Sequence, residues 1–257
     1  MSAITSSNPT HQLPLRQIAR IAGVLYIIII VAGMFAGGFV RPELLVKGDV
    51  AATAENIIAS EGLFRASIVA DLAMIIADVA IAVAFYYLLK PVNQGLSLLS
   101  AVFRLAQAAT LGINLLMLFF VLQLLSGEVY TPVLGEETVQ AQAYLFLTAH
   151  SIGYKLALMF FAFSILIQGY LLYVSGYFPK ILGGLMVVAA AGYFIDNMAT
   201  FILPNYDDYA ATFEMIVMIA LPVELGMALW LLIKGIRTEQ LQSGIGMNAP
   251  RAEAVAN

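Results

Sequence analysis

The stretch ADLAMIIADVAIAVAFYYLLKPVNQGLSLLSAVFRLAQ, residues 70–107, sets two carboxylates and a guanidinium inside two apolar runs joined by a Lys-Pro turn. On insertion scales each such charge costs about 2.5–3.5 kcal/mol at the centre of a membrane helix, so partners or tasks are expected for them. Asp71 and Asp78 are seven residues apart, two helical turns, and share one stripe of the first run. Arg104, Gln107 and Asn114 share a stripe of the second. Folding the two runs about Pro91 with equal rise per residue sets Asp78 level with Arg104 and brings Asn114 near Asp71. The spacing predicts an Asp78–Arg104 ion pair that fixes helix register. It leaves Asp71 with only an amide, the better candidate for a working group.

The rest of the chain repeats the apolar theme. Of 257 residues, 61% are hydrophobic and only 11% charged, which is not a soluble composition. Six apolar stretches reach the length that spans a bilayer: Ile21–Val40, Leu63–Leu89, Leu96–Leu125, Tyr154–Val174, Ile181–Leu203 and Phe213–Ile233. They are continuous rather than alternating, which selects helices over a β-barrel. The first is too long for a signal-peptide core and reads as a retained helix. The fold expected is therefore all-α, a polytopic transmembrane bundle of six helices over residues 15–237.

Basic residues orient it. Arg16, Arg20, Lys90, Lys180, Lys234, Arg237 and Arg251 fall on one side, while the opposite side carries most of the acids and only Arg41, Lys47 and Arg65 as cations. By the positive-inside rule both termini are cytoplasmic. Residues 1–14 and 238–257 lack apolar periodicity and are expected to be disordered tails. The turns at 90–95 and 175–180 are short and punctuated by Pro and Gly, so they force antiparallel hairpins. Two longer external connections, Asp49–Glu61 and Gly135–Leu147, each predict a short interfacial helix, the first capped by Asp49.

Other buried-polar candidates are Lys155, Asp196 and Asn197 toward the external ends of their helices, and Glu224 near the middle of the last, just after Pro222. Counting rise from the helix ends sets Asp71, Asn114, Asp196 and Lys155 at similar depth, with Asp78 and Glu224 deeper. If the helices close into one bundle these groups line an acidic pocket open to the outside. The competing readings are ordinary: Lys155 snorkels to the interface, and His150 is an interfacial hydrogen-bonder. The chain has no cysteine and two histidines, which excludes disulfides and thiolate chemistry. There is no phosphate loop, GxSxG elbow or HExxH motif, and nothing local specifies a metal site from Asp71, Asp196 and Glu224. No cofactor and no nucleic-acid partner are expected.

The segments RIAGVLYIIIIVAG, DLAMIIADVAIAVAFYYLLKPVNQGLSLLSAVFRLAQA, GYFPKILGGLMVVAAAGYFIDNMATFILPNY and ELGMALWLLIKG resemble a bacterial multi-pass membrane family known as domain of unknown function 4386. The resemblance runs from about Arg20 to Gly235. It implies an integral protein of the bacterial cytoplasmic membrane and no particular activity, so no residue role comes with it.

Three functions follow from a buried polar cluster. A non-catalytic module that binds a lipid or small molecule, or acts as a scaffold, ranks first. A small proton-coupled transporter comes next, and six helices are few for one unless it forms a homo-oligomer. The third is an intramembrane lipid-modifying enzyme using Asp71, Asp196, Glu224 and His150 as acid–base groups, with no recognised nucleophile.

Overall fold

The structure, a computed structural model, describes residues 14–218 and 220–236. The two expected disordered tails lie outside the described residues, Pro14 excepted. Every regular element described is helical. α1 (Leu15–Leu44) is followed by α2 (Val50–Ala59), α3 (Glu61–Leu89), α4 (Gln94–Leu125) and α5 (Glu136–Val174). α6 (Lys180–Ile202), α7 (Ala210–Met218) and α8 (Ala220–Ile233) follow, with a single-turn helix at Thr131–Leu134 before α5 and a 3-10 turn at Tyr206–Asp208 before α7.

Among the described residues five helices are long and apolar enough to cross a membrane: α1, α3, α4, α5 and α6. The five apolar helices fit a multi-pass membrane protein. The sixth expected stretch is present as α7 and the shorter apolar α8, with Ile219 between them not described.

The helices pack in a closed ring. α1 lies on α3, α3 on α4, α4 on α5, α5 on α6, α6 on α8, and α8 returns to α1. The amphipathy is inside out. On α3, Ser67, Asp71, Met74, Asp78, Ile81 and Phe85 are buried, whereas Val69, Leu72, Ile76, Val79 and Val83 lie bare on the outer face. In a bilayer, lipid tails would solvate such an outer stripe, and apolar burial would contribute little to helix association. Close backbone approach and interhelical hydrogen bonds must do it instead.

Both devices are present. A Cβ built on Gly183 of α6 would lie 2.5 Å from the Tyr173 amide nitrogen and 2.7 Å from the Gly169 carbonyl of α5, so only glycine permits that crossing. Ser100 of α4 and Ser164 of α5 each donate to the other's carbonyl, at 3.0 and 2.9 Å. In the Ser175–Pro179 turn the Tyr177 hydroxyl donates to the Leu88 carbonyl at 2.7 Å, satisfying one of the orphan carbonyls at the end of α3.

Two features depart from expectation. The predicted interfacial helix at 135–147 is not separate: it runs straight into the fourth apolar stretch as the 39-residue α5, about 58 Å long at 1.5 Å per residue. No proline interrupts residues 136–174, so nothing breaks the helical ladder. Its first turns pack in one cluster with the end of α4 and carry α2. Ile57 joins Val139, Ala143 and Leu147 in one apolar cluster, and the Tyr144 hydroxyl accepts from the Gly48 N–H at 3.0 Å. α2 itself is capped by Asp49, which accepts from the Ala52 N–H at 3.0 Å.

The second departure lies in α1, where Met34–Val40 forms a π-helical segment. The Arg41 N–H reaches back five residues to the Ala36 carbonyl. Pro42 supplies the reason, because it has no N–H for the Gly38 carbonyl and its ring crowds that turn. The wider turn carries α1 on to Leu44 and delivers Arg41 to the side of α3.

Candidate functional site

The buried ionisable groups fall into three sets, not one pocket. The central set draws a side chain from every helix of the ring. Asp78 of α3 accepts from Arg104 Nε at 3.0 Å, from Arg104 Nη2 at 2.7 Å and from Gln107 Nε2 of α4 at 3.2 Å. The Arg104 guanidinium lies between the Tyr26 ring of α1, 5.5 Å away, and the Phe161 ring of α5, 5.0 Å away. Phe161 meets the Tyr193 ring of α6 edge-on at 5.3 Å, and the Tyr193 hydroxyl donates to Glu224 of α8 at 2.8 Å. Arg104 and Asp78 are each only 1% exposed. Two ionised groups so deep in an apolar medium persist only as a bonded pair.

The second set lies nearer the end of the bundle that carries the long connections. Arg41 donates through Nη1 to Asp71 Oδ2 at 2.5 Å and through Nη2 to Oδ1 at 3.3 Å, the two-pronged geometry of a guanidinium on a carboxylate. Gly37, four residues before Arg41, makes the room: a Cβ there would lie 3.1 Å from Arg41 Nη2. Beside this pair, Asp71, Met74, Leu111, His150 and Tyr154 line a cavity whose water-sized space is about 10 Å³, enough for one water molecule.

Asp71 is therefore paired with a cation, where the amide of Asn114 was expected. Asn114 instead donates to the His150 carbonyl at 2.9 Å, packed where a side chain on Gly153 would collide with it. It fastens α4 to α5.

The third set sits where α6 enters its loop. The Lys155 ammonium of α5 donates to the Tyr206 hydroxyl at 2.6 Å, to Thr200 at 2.9 Å and to Asp196 at 3.4 Å. The Tyr206 hydroxyl donates in turn to Asp196 at 2.6 Å. Burial, then the bond to Asp196, hold the Tyr206 hydroxyl above its ordinary ionisation range, while Lys155 and Thr200 oppose them. Asn197 is fully buried on the same helix, with Nδ2 donating to the Tyr193 carbonyl at 2.6 Å and Oδ1 without a partner among the described residues.

The structure thus joins Asp78 to Arg104 and Lys155 to Asp196, and leaves Asp71, Asp196 and Glu224 in three different sets. The participants that escaped the sequence reading as site residues include Arg41, Tyr26, Phe161, Tyr193, Thr200 and Tyr206. Arg41 reads as an outer flank because straight-helix counting ignores the π turn. The tyrosines are hidden by the chain's general aromatic richness. The usable signals were Gly37 one turn before Arg41, and Tyr206 within the LPNY motif.

A family model described as domain of unknown function DUF4386 matches residues 21–235. An uncharacterised protein of Archaeoglobus fulgidus is 32% identical over 177 residues, covering 69% of this chain and 88% of that protein. No solved structure matches. The chain belongs to the DUF4386 family.

Proposed function

Starting from membership in a family without an assigned activity, we propose that this protein is a non-catalytic, six-span module of the bacterial cytoplasmic membrane. Its polar interior locks the helices together, and its partner is the bilayer or a lipid held by it. The observation that supports this reading is the pairing itself. Asp78 with Arg104 and Asp71 with Arg41 are bonded across helices, beside space for a single water. α8, preceded by α7, is read as the sixth span. The basic bias of the short turns supports cytoplasmic termini.

Native mass spectrometry of the purified protein tests the module. A retained lipid or small molecule supports binding, and a bare, stable protein supports a scaffold. Proton-driven uptake of a solute into proteoliposomes would overturn both. Topology is checked with single cysteines at Asn93 and Gly127, which a chain without native cysteine accepts on a clean background. An impermeant maleimide applied to intact cells should label Gly127→Cys and spare Asn93→Cys.

One observation favours the second reading, a small proton-coupled transporter. Glu224 is buried, follows the helix-disturbing Pro222, and among the described residues is bonded only to the neutral Tyr193 hydroxyl.

A further inference from the structure

The central belt holds one guanidinium, Arg104, and two carboxylates, Asp78 and Glu224, which is one negative charge too many for a hydrocarbon interior. Among the described residues, Arg104 Nη1 and the Tyr26 hydroxyl, on side chains that are 1% and 0% exposed, make no well-formed hydrogen bond, although the hydroxyl lies close to the Arg104 guanidinium. Both side chains interact electrostatically with Glu224. We propose that the belt is a binding site for a single proton, carried by Glu224, with Arg104 Nη1 and the Tyr26 hydroxyl placed to receive the carboxylate when that proton leaves.

Hydrogen bonding decides which acid takes the proton. Asp78 accepts two bonds from a guanidinium and one from an amide, all of which favour its charged form. Glu224 accepts one bond from a neutral phenol. Tyr193 of α6 touches it, and the other groups near enough to interact with its charge are Tyr26 from α1, Asp78 from α3, Arg104 from α4 and Tyr154 from α5. Arg104 is the one permanent cation among them, and its Nε and Nη2 are already committed to Asp78.

On release the O–H bond of the Glu224 acid breaks and the proton passes to water. The new carboxylate then accepts from Nη1–H and from Tyr26 O–H. Along α6, Tyr193, Asn197 and Thr200 form a polar stripe at i, i+4 and i+7 that ends on the Lys155–Tyr206 set. The proton therefore exchanges with the end of the bundle that carries Tyr206. The site names the coupling group of the second reading yet stands apart from it, because the charge surplus exists whether or not a solute moves.

Infrared difference spectroscopy on the full chain in phosphatidylethanolamine–phosphatidylglycerol nanodiscs, titrated from acid to alkaline pH, reads the site directly. The wild type should show a carboxylic-acid C=O band that vanishes on alkaline titration. The band should be lost in Glu224→Gln and displaced in Tyr193→Phe. Glu224→Asp should retain a titrating band at a new position, which separates loss of the acid from loss of the fold. The same band in Glu224→Gln, no titrating acid band in the wild type, or a midpoint that follows sodium concentration would each overturn the proposal. Failure of solute uptake in proteoliposomes would remove the transport reading and leave this one intact.

Discussion

The Asp78–Arg104 pair and the Arg41–Asp71 pair are made of the same two residue types, yet they are built differently. The first joins the two arms of a hairpin, with both side chains 1% exposed, at the level of the belt that all six ring helices share. The second joins α1 to α3 across a π turn, and its arginine side chain is 14% exposed. A pair sealed on every side cannot relax when one member is lost. A pair at the rim can draw in water or tilt its arginine outward. The same bond therefore carries different consequences at the two depths.

Breaking the deep pair from one side should have the largest effect. Arg104→Met strands Asp78 as a buried carboxylate without its cation. A loss of about 3–5 kcal/mol is expected, by analogy with buried pairs in soluble proteins. Reversible unfolding in mixed micelles measures it. Exchanging the two, Asp78→Arg with Arg104→Asp, should recover a substantial part. An exchange no better tolerated than either single change would show that Gln107 and the two flanking rings, not the charge pairing, set the energetics.

What the sequence could reveal follows the same division. The Asp78–Arg104 bond was legible because a proline turn and equal rise on both arms fix depth by counting. The same count set Asn114 near Asp71, but its amide donates to the His150 carbonyl, and the hairpin count contains nothing about α5. Arg41 was invisible for another reason: the Gly37-Gly38 pair and Pro42 replace the regular ladder, so straight-helix phase cannot predict its side. The expected interfacial helix at 135–147 was polar enough to look separate. Only the absence of a break before Tyr154 distinguishes it from the start of a longer helix. Spans were readable from composition, and the meeting of non-neighbouring helices was not.

The rim pair should yield less. Arg41→Met is expected to destabilise by about 2 kcal/mol, between the values for exposed and sealed pairs. Gly37→Ala sharpens the point. Its methyl would press on the far end of a flexible guanidinium, so a cost of about 1 kcal/mol is expected. In the Arg41→Met background that cost should vanish, because nothing remains to be displaced. A double-mutant cycle reads this coupling, and additivity would show that Gly37 acts through the π turn itself.

Tyr206→Phe should be the mildest change and the one that depends on pH. It removes a hydroxyl that accepts from Lys155 and donates to Asp196, a loss of about 0.5–1.5 kcal/mol at neutral pH. Because burial and the Asp196 bond hold this phenol above its ordinary value of 10.0, the folded protein retains the proton more tightly than the unfolded chain. The hydroxyl's contribution is therefore complete below that value and declines as the solution becomes more alkaline. Wild type and Tyr206→Phe should accordingly differ at neutral pH and converge at high pH. A gap that widened with alkalinity would mean that the ionised phenolate binds Lys155 more strongly than the neutral hydroxyl serves Asp196, reversing the roles assigned to the two partners.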